Sequence, residues 1–246
     1  MEPVTLTTIS VGILTSLVVN RIIYGSWQLG LLMKKLTRVL TGSVLIIVGP
    51  EYSGKTAFTR ILLEEKYPKQ GEGIPRTVGI DSHRGIVITG GKTLHKLISS
   101  LSDFSGQMGV ALHGGAPSDF PVNGIVVCLQ ADEIGRDSRH QPVVPWFNSY
   151  CESFSNAIKP QKARKYLYAM VVIITKADHV TEESIQSLRS QISKVLRDKT
   201  GNVLGANVER VRIFSGNLCE PDGVEFMPDI VEFLIQQLKL KQPLIR

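Results

Sequence analysis

Ser43-Val-Leu-Ile-Ile-Val48 runs without a break into Gly49-Pro-Glu-Tyr-Ser-Gly54-Lys55-Thr56, and this stretch decides the fold. The first part is short, β-branched and apolar, the pattern of a buried strand. The second satisfies G-x-x-x-x-G-K-[ST] at each fixed position. Residues 57–65 have helical character, so the loop lies between a strand and a helix, as the pattern requires. The backbone of Gly49, Pro50, Glu51, Tyr52, Ser53 and Gly54, continuing through Lys55, Thr56 and Ala57, is then expected to wrap phosphate groups. The two glycines permit the turn, and the helix N-terminus adds its positive dipole end. Lys55 would neutralise phosphate charge and the Thr56 hydroxyl would ligate Mg²⁺.

Four further pieces follow in a consistent order. Pro75-Arg-Thr77-Val-Gly79-Ile-Asp81 offers a threonine able to reach Mg²⁺ and a terminal phosphate. Residues 86–89 and 94–103 read as a β-hairpin about Gly90-Gly91. The second strand ends in Asp103-Phe-Ser-Gly106-Gln107, an acidic residue for the metal shell and a glycine placed to sense the phosphate. Buried-strand runs follow at 124–129 and 170–174, and the latter opens into Thr175-Lys176-Ala177-Asp178. A carboxylate at Asp178 accepts both hydrogens that guanine presents on N1 and N2, an arrangement adenine lacks, which disfavours ATP-using kinases. The run 211–214 then leads to Ser215-Gly216, placed to support base recognition.

With these motifs the chain resembles a Ras-like small GTPase over about residues 43–240. Gly49 to Thr56 matches the phosphate loop, Thr77 the first switch, and Asp103 to Gln107 the D-x-x-G-Q of the second. Thr175 to Asp178 matches [NT]-K-x-D, and Ser215-Gly216 loosely matches S-A-K. The resemblance implies a three-layer α/β G-domain with a mostly parallel six-stranded sheet and flanking helices. GTP/GDP and Mg²⁺ are the implied ligands, with Thr56, Thr77 and Asp103 at the metal. Gln107, Lys55 and Thr77 would serve GTP hydrolysis, Gln107 by orienting the attacking water. Glu51, where Ras-type proteins prefer glycine, crowds the terminal phosphate, and no arginine is assigned as an intrinsic finger. Slow turnover, completed by a partner protein reading the ordered switch loops, is the expectation.

The first 42 residues differ in character. From Pro3 to Asn20 there is no charge, and residues 3–24 just reach the roughly 20 apolar residues that span a bilayer. Arg21, Lys34, Lys35 and Arg38 lie at or after the run, against a single Glu2 before it, so half of the net +6 sits here. That asymmetry places the N-terminus outside and the remainder cytoplasmic, and argues against a signal peptide. Residues 1–42 are therefore expected to be a single-pass anchor with a basic linker, and 43–246 the GTPase domain. A helix docked on a partner is the alternative. An N-terminal anchor joined to such a domain is similar to the β-subunit of the signal recognition particle receptor, which implies the endoplasmic reticulum and protein targeting. Gln107 and Thr175 stand where that family carries histidine and asparagine. The alternative function is a non-cycling GTP-binding subunit of a larger membrane complex.

Of the 246 residues 43% are hydrophobic and 20% charged, which excludes wholesale disorder. The globular part is nearly charge-balanced without a basic patch interleaved with aromatics, so direct nucleic-acid binding is not expected. Three separated cysteines and five histidines without paired spacing point to neither a disulfide framework nor zinc. Residues 108–122 read as an extended second-switch loop and 132–145 as a polar insertion. Residues 181–197 read as an amphipathic helix, and 229–241 as a closing helix.

Overall fold

The computed structural model describes residues 43–64, 66–69, 72–73, 80–90, 94–106, 109–119, 122–132, 142–158, 167–204, 210–219 and 222–239. The expected anchor, Thr77, Gln107 and most of the 132–145 insertion lie outside them. Among the described residues no helix is long and apolar enough to cross a membrane.

The chain alternates strands and helices: β1 (Ser43–Val48), α1 (Lys55–Glu64), β2 (Ile80–Gly90), β3 (Leu94–Phe104), α2 (Val110–Asp119), β4 (Gly124–Gln130), α3 (Val143–Ala157), β5 (Ala169–Thr175), α4 (Glu182–Leu204), β6 (Val211–Ser215) and α5 (Asp222–Lys239). Six strands form one sheet in the order β2-β3-β1-β4-β5-β6. Among the described residues only the β2–β3 hairpin is antiparallel; β1 pairs in parallel with both β3 and β4, and β5 and β6 continue in parallel. Strands β4 and β5 are buried along their full length, which is why they read as unbroken apolar runs.

Period-two alternation along the central strands divides the core. Ile46, Val127 and Val172 face α3 and α4, whereas Ile47, Val126 and Val171 face α1 and α5. On the first side α3 carries Val143, Trp146, Phe147, Tyr150, Cys151 and Phe154 on one buried stripe, spaced as a helix requires. The Trp146 and Tyr150 rings stack at 5.6 Å between centroids. Tyr150 is fully buried, and its hydroxyl has no hydrogen-bond partner among the described residues. Burying a hydroxyl without a partner costs about 1–3 kcal/mol, whereas removing it leaves the ring contacts intact. Tyr150→Phe is therefore expected to hold or raise stability by ~1 kcal/mol in urea denaturation. A fall of similar size would reveal a bond that this packing does not contain.

Residues 108–122 depart from the extended loop expected of them: Val110–Asp119 is a helix. Gly114, Gly115 and Pro117 are poor helix formers and concealed it. Tertiary packing overrides propensity here, because the bare Cα of Gly114 lets α2 press onto α3. A Cβ there would lie 2.5 Å from Ser153 Cβ and 2.7 Å from the Phe154 nitrogen. The far end of the expected 132–145 insertion is also helical, since Val143, Val144 and Pro145 make the first turn of α3, where proline is tolerated. The helices at 181–197 and 229–241 are displaced: α4 runs on to Leu204, and α5 starts at Asp222 and accommodates Pro228.

Candidate functional site

Strand β1 lies between β3 and β4, and its two parallel neighbours lead away in opposite directions along the sheet. Such a switch point opens a crevice beyond the C-terminal strand ends. Residues 49–54 fill that position. Register pairs Ile47 with Asp103 on one side and with Val126 on the other, so Asp103 comes abreast of the end of β1.

The phosphate loop is tightly built. Gly49 has φ +153°, and a Cβ on it would fall 2.2 Å from the Cys128 carbonyl oxygen. Tyr52 is left-handed with φ 60°, a conformation that aligns successive N–H groups into an anion-binding concavity. The Ser53 hydroxyl donates to Pro50 O at 2.8 Å. Lys55 is only 6% exposed, and its ammonium donates to Pro50 O at 2.6 Å and lies 3.4 Å from Ser53 Oγ. Burial pulls its pKa below the ordinary lysine value; Cys128, Asp103 and Glu51 oppose that pull. The result is a buried lysine held against a carbonyl and a hydroxyl of the loop.

The second-switch turn rests directly on this loop. A Cβ at Gly106 would meet the Glu51 nitrogen at 2.4 Å and the Pro50 carbonyl carbon at 2.7 Å, so only glycine permits the approach. Behind it, the fully buried His113 lies edge-on to Phe104 and Trp146. Its Nε2 is 2.9 Å from Ser105 O; because that carbonyl can only accept, Nε2 carries the hydrogen. Burial, reinforced by the Lys55 charge, holds its pKa down to about 4 against that hydrogen bond, leaving the ring neutral near pH 7. His113 thus tethers the residue before Gly106 to the core, a role not read from the sequence.

Asp103 is 1% exposed and interacts electrostatically with Lys55. A carboxylate is buried at a strand end only where positive charge balances it. Together with the Thr56 hydroxyl at the start of α1, it supplies the hard oxygen donors that suit Mg²⁺. By donor chemistry Thr56 and Asp103 would suit such an ion; Thr77, the third expected ligand, is among the residues not described.

The elements expected to recognise a base converge on the same end of the sheet. Thr175 pairs with Gln130 at the ends of β5 and β4. Its hydroxyl lies 3.1 Å from Ser53 O and 3.2 Å from Leu129 O, donating towards both. Lys176 takes φ 54° and starts a 3₁₀ turn, Ala177–His179, which presents Asp178. Gly216 N donates to Ile174 O at 3.0 Å, and its Cα abuts the Phe226 ring, where a Cβ would come within 2.7 Å. Ser215 ends β6 beside Ile174. The contact to Asp178 comes from the next residue: Asn217 Nδ2 donates to Asp178 Oδ2 at 3.2 Å. Sequence reasoning missed Asn217, and it missed His179, whose ring lies against Asp178. The lone signal was their position beside the two motifs.

No protein-family model matches the sequence, and no curated protein matches it. Solved structures match in fold. The signal recognition particle receptor chain in the SRb-GTP/SRX complex of Chaetomium thermophilum has a TM-score of 0.51 at 15% identity, covering 78% of this chain and 98% of that one. The bacterial selenocysteine-specific elongation factor EF-Sec has a TM-score of 0.53 at 14% identity, covering 83% of this chain and 30% of that one. The elongation factor SelB of Methanococcus maripaludis, in complex with the GTP analogue GppNHp, has a TM-score of 0.48 at 14% identity over 80% of this chain and 34% of that one. This chain thus spans about a third of the length of the elongation factors. At 14–15% identity these matches bear on the fold, and the chain has the fold of a P-loop GTPase in a layout similar to that of the receptor β-subunit.

Proposed function

We propose that this chain binds GTP and GDP with Mg²⁺ and acts as a nucleotide-dependent switch that hydrolyses GTP slowly and recruits a protein partner at a membrane. One observation carries the reading. The Thr175 hydroxyl joins the segment 175–178 to the loop 49–54 through Ser53 O at 3.1 Å, which supports a single site for base and phosphates. Gly49 to Ala57 would cradle the phosphates, Lys55 would neutralise them, and Asp178 would read the base. Thr56 and Asp103 would hold Mg²⁺, which would supply neutralisation of phosphate charge.

The switch follows from the close packing of Gly106 on residues 50 and 51. A terminal phosphate entering beside Glu51 would rearrange this contact and, with Thr77, order the two switch segments; its loss would release them. In this proposal residues 3–24 anchor the chain with the domain cytoplasmic, at the endoplasmic reticulum if the receptor-like layout extends to location. The receptor subunit's complex with SRX supports a protein partner, and protein targeting is proposed with it. A second reading, a GTP-binding structural subunit without cycling, is favoured by Glu51, whose backbone Gly106 already covers.

Single-turnover hydrolysis of GTP by the full-length chain, stripped of nucleotide and compared with Gln107→Leu, tests the proposal. Gln107 is expected to orient the attacking water, so the variant should fall on the order of tenfold or more in rate with nucleotide affinity retained. Equal rates in both proteins would remove Gln107 from the mechanism. Tight GTP binding with no turnover in either would favour the non-cycling reading.

A further inference from the structure

We propose that Asp132, His179 and Asn217 are positioning residues that preset the Asp178 carboxylate and so determine how strictly this chain selects guanine. The proposal rests on the guanine-nucleotide reading above and extends it to residues outside the recognised motifs.

The geometry is a relay across three segments. Asp132, two residues beyond β4, is 3% exposed. Its Oδ2 lies 2.8 Å from His179 Nδ1, and the other ring nitrogen, Nε2, lies 3.4 Å from Asp178 Oδ2. From the segment after β6, Asn217 Nδ2 reaches the same Asp178 oxygen at 3.2 Å. Asn217 is itself fixed, because its Oδ1 accepts from the Cys219 backbone N–H at 3.0 Å. The 3₁₀ turn that carries Asp178 and His179 is closed by His179 N to Lys176 O at 3.2 Å and Val180 N to Ala177 O at 3.4 Å. Asp178 is thereby approached from two sides, by a ring braced on a buried carboxylate and by an amide braced on a backbone N–H.

Guanine recognition at Asp178 requires two parallel hydrogen bonds, from N1–H and from the 2-amino group, and hence one rotational setting of the carboxylate. Both observed contacts fall on Oδ2, so the group cannot spin about Cβ–Cγ without losing them. An ionised carboxylate has about four acceptor positions, which leaves capacity for the base. Setting the group beforehand removes an ordering cost that binding would otherwise bear. The gain is largest for a base able to use both oxygens. The clamp therefore separates guanine from hypoxanthine, which retains N1–H and lacks the 2-amino group.

The test compares equilibrium binding of GDP, inosine diphosphate and ADP to the full-length chain and to His179→Ala, Asn217→Ala and Asp132→Asn. Asn217→Ala alters an exposed pair and keeps the test decisive if a change near the buried Asp132 disturbs folding. The wild-type protein is expected to prefer GDP over inosine diphosphate. Asn217→Ala should narrow that preference by about three- to tenfold, the range for one partly exposed hydrogen bond to a charged group. His179→Ala, which removes a 3.4 Å contact, should narrow it by a smaller factor. A purely structural lesion would instead weaken GDP and inosine diphosphate in parallel. A preference equal to wild type in both variants, whether or not overall affinity falls, overturns the clamp. A wild-type protein with no preference for guanine over adenine overturns the guanine-nucleotide reading itself, and the clamp with it.

Discussion

Replacing Asp178 by asparagine is expected to exchange guanine for xanthine. The aspartate accepts from N1–H and from the 2-amino group, two hydrogen bonds with an ionised acceptor. Such bonds contribute about 1.5–3 kcal/mol each, and an amide presents an N–H donor where the 2-amino group needs an acceptor. Asp178→Asn should therefore lower GDP affinity on the order of a hundredfold or more. Xanthine carries a carbonyl at the 2-position, so the asparagine amide can donate to that oxygen while its own carbonyl accepts from N1–H. Affinity for xanthosine diphosphate should rise as that for GDP falls. Titrating both nucleotides against both proteins measures the exchange. Unchanged GDP affinity in the variant would mean that Asp178 does not face the base.

The second large effect belongs to the backbone. Gly49→Ala places a methyl 2.2 Å from the Cys128 carbonyl oxygen and 2.7 Å from Ser53 Oγ, at a φ of +153° that other residues seldom adopt. The first neighbour is backbone within the central sheet and cannot step aside. Relief would require β1 and β4 to part at the place where the phosphate loop begins. Overpacking combined with backbone strain of this kind costs ~3–5 kcal/mol, a large fraction of the roughly 5–15 kcal/mol by which a domain is stable. Urea denaturation should show the loss directly, and binding of guanine nucleotide should fail with it. Gly201 is the control: inside α4 a methyl there meets nothing within 4 Å, so Gly201→Ala should hold or raise the midpoint. A Gly49→Ala protein melting with wild type would contradict the packing described for this turn.

The parts of the site that could be read in advance are those whose chemistry fixes residue type and spacing together. A phosphate loop needs its glycines for geometry, its lysine for charge and its hydroxyl for metal. Residues 49–56 spell this out in eight consecutive positions, and the strand before them is unmistakably buried. The central strands were legible because both faces are covered, which leaves no polar alternation to confuse the pattern. Helix α2 was not legible, since Gly114, Gly115 and Pro117 argue against a helix locally and only the approach to Ser153 and Phe154 on α3 explains it. Helix α3 is a different case. Its stripe from Val143 to Phe154 has full helical spacing, so the signal was present, and the polar stretch before it obscured where the helix begins. Asp132, His179 and Asn217 could not have been grouped beforehand, because their relation arises from register between β4, β5 and β6 and from the turns beyond them.

Thr175 illustrates what a single substitution inside a motif does to a machine. Its one hydroxyl hydrogen faces two carbonyl acceptors, at 3.1 and 3.2 Å, where a side-chain amide would bring two hydrogens. The joint between the turn after β5 and the loop after β1 is therefore a shared proton rather than a pair of bonds. In the proposed switch, a nucleotide that disturbed one end would strain this shared contact at the other. Ligand departure in that switch would loosen turn and loop together, because one hinge pin holds them.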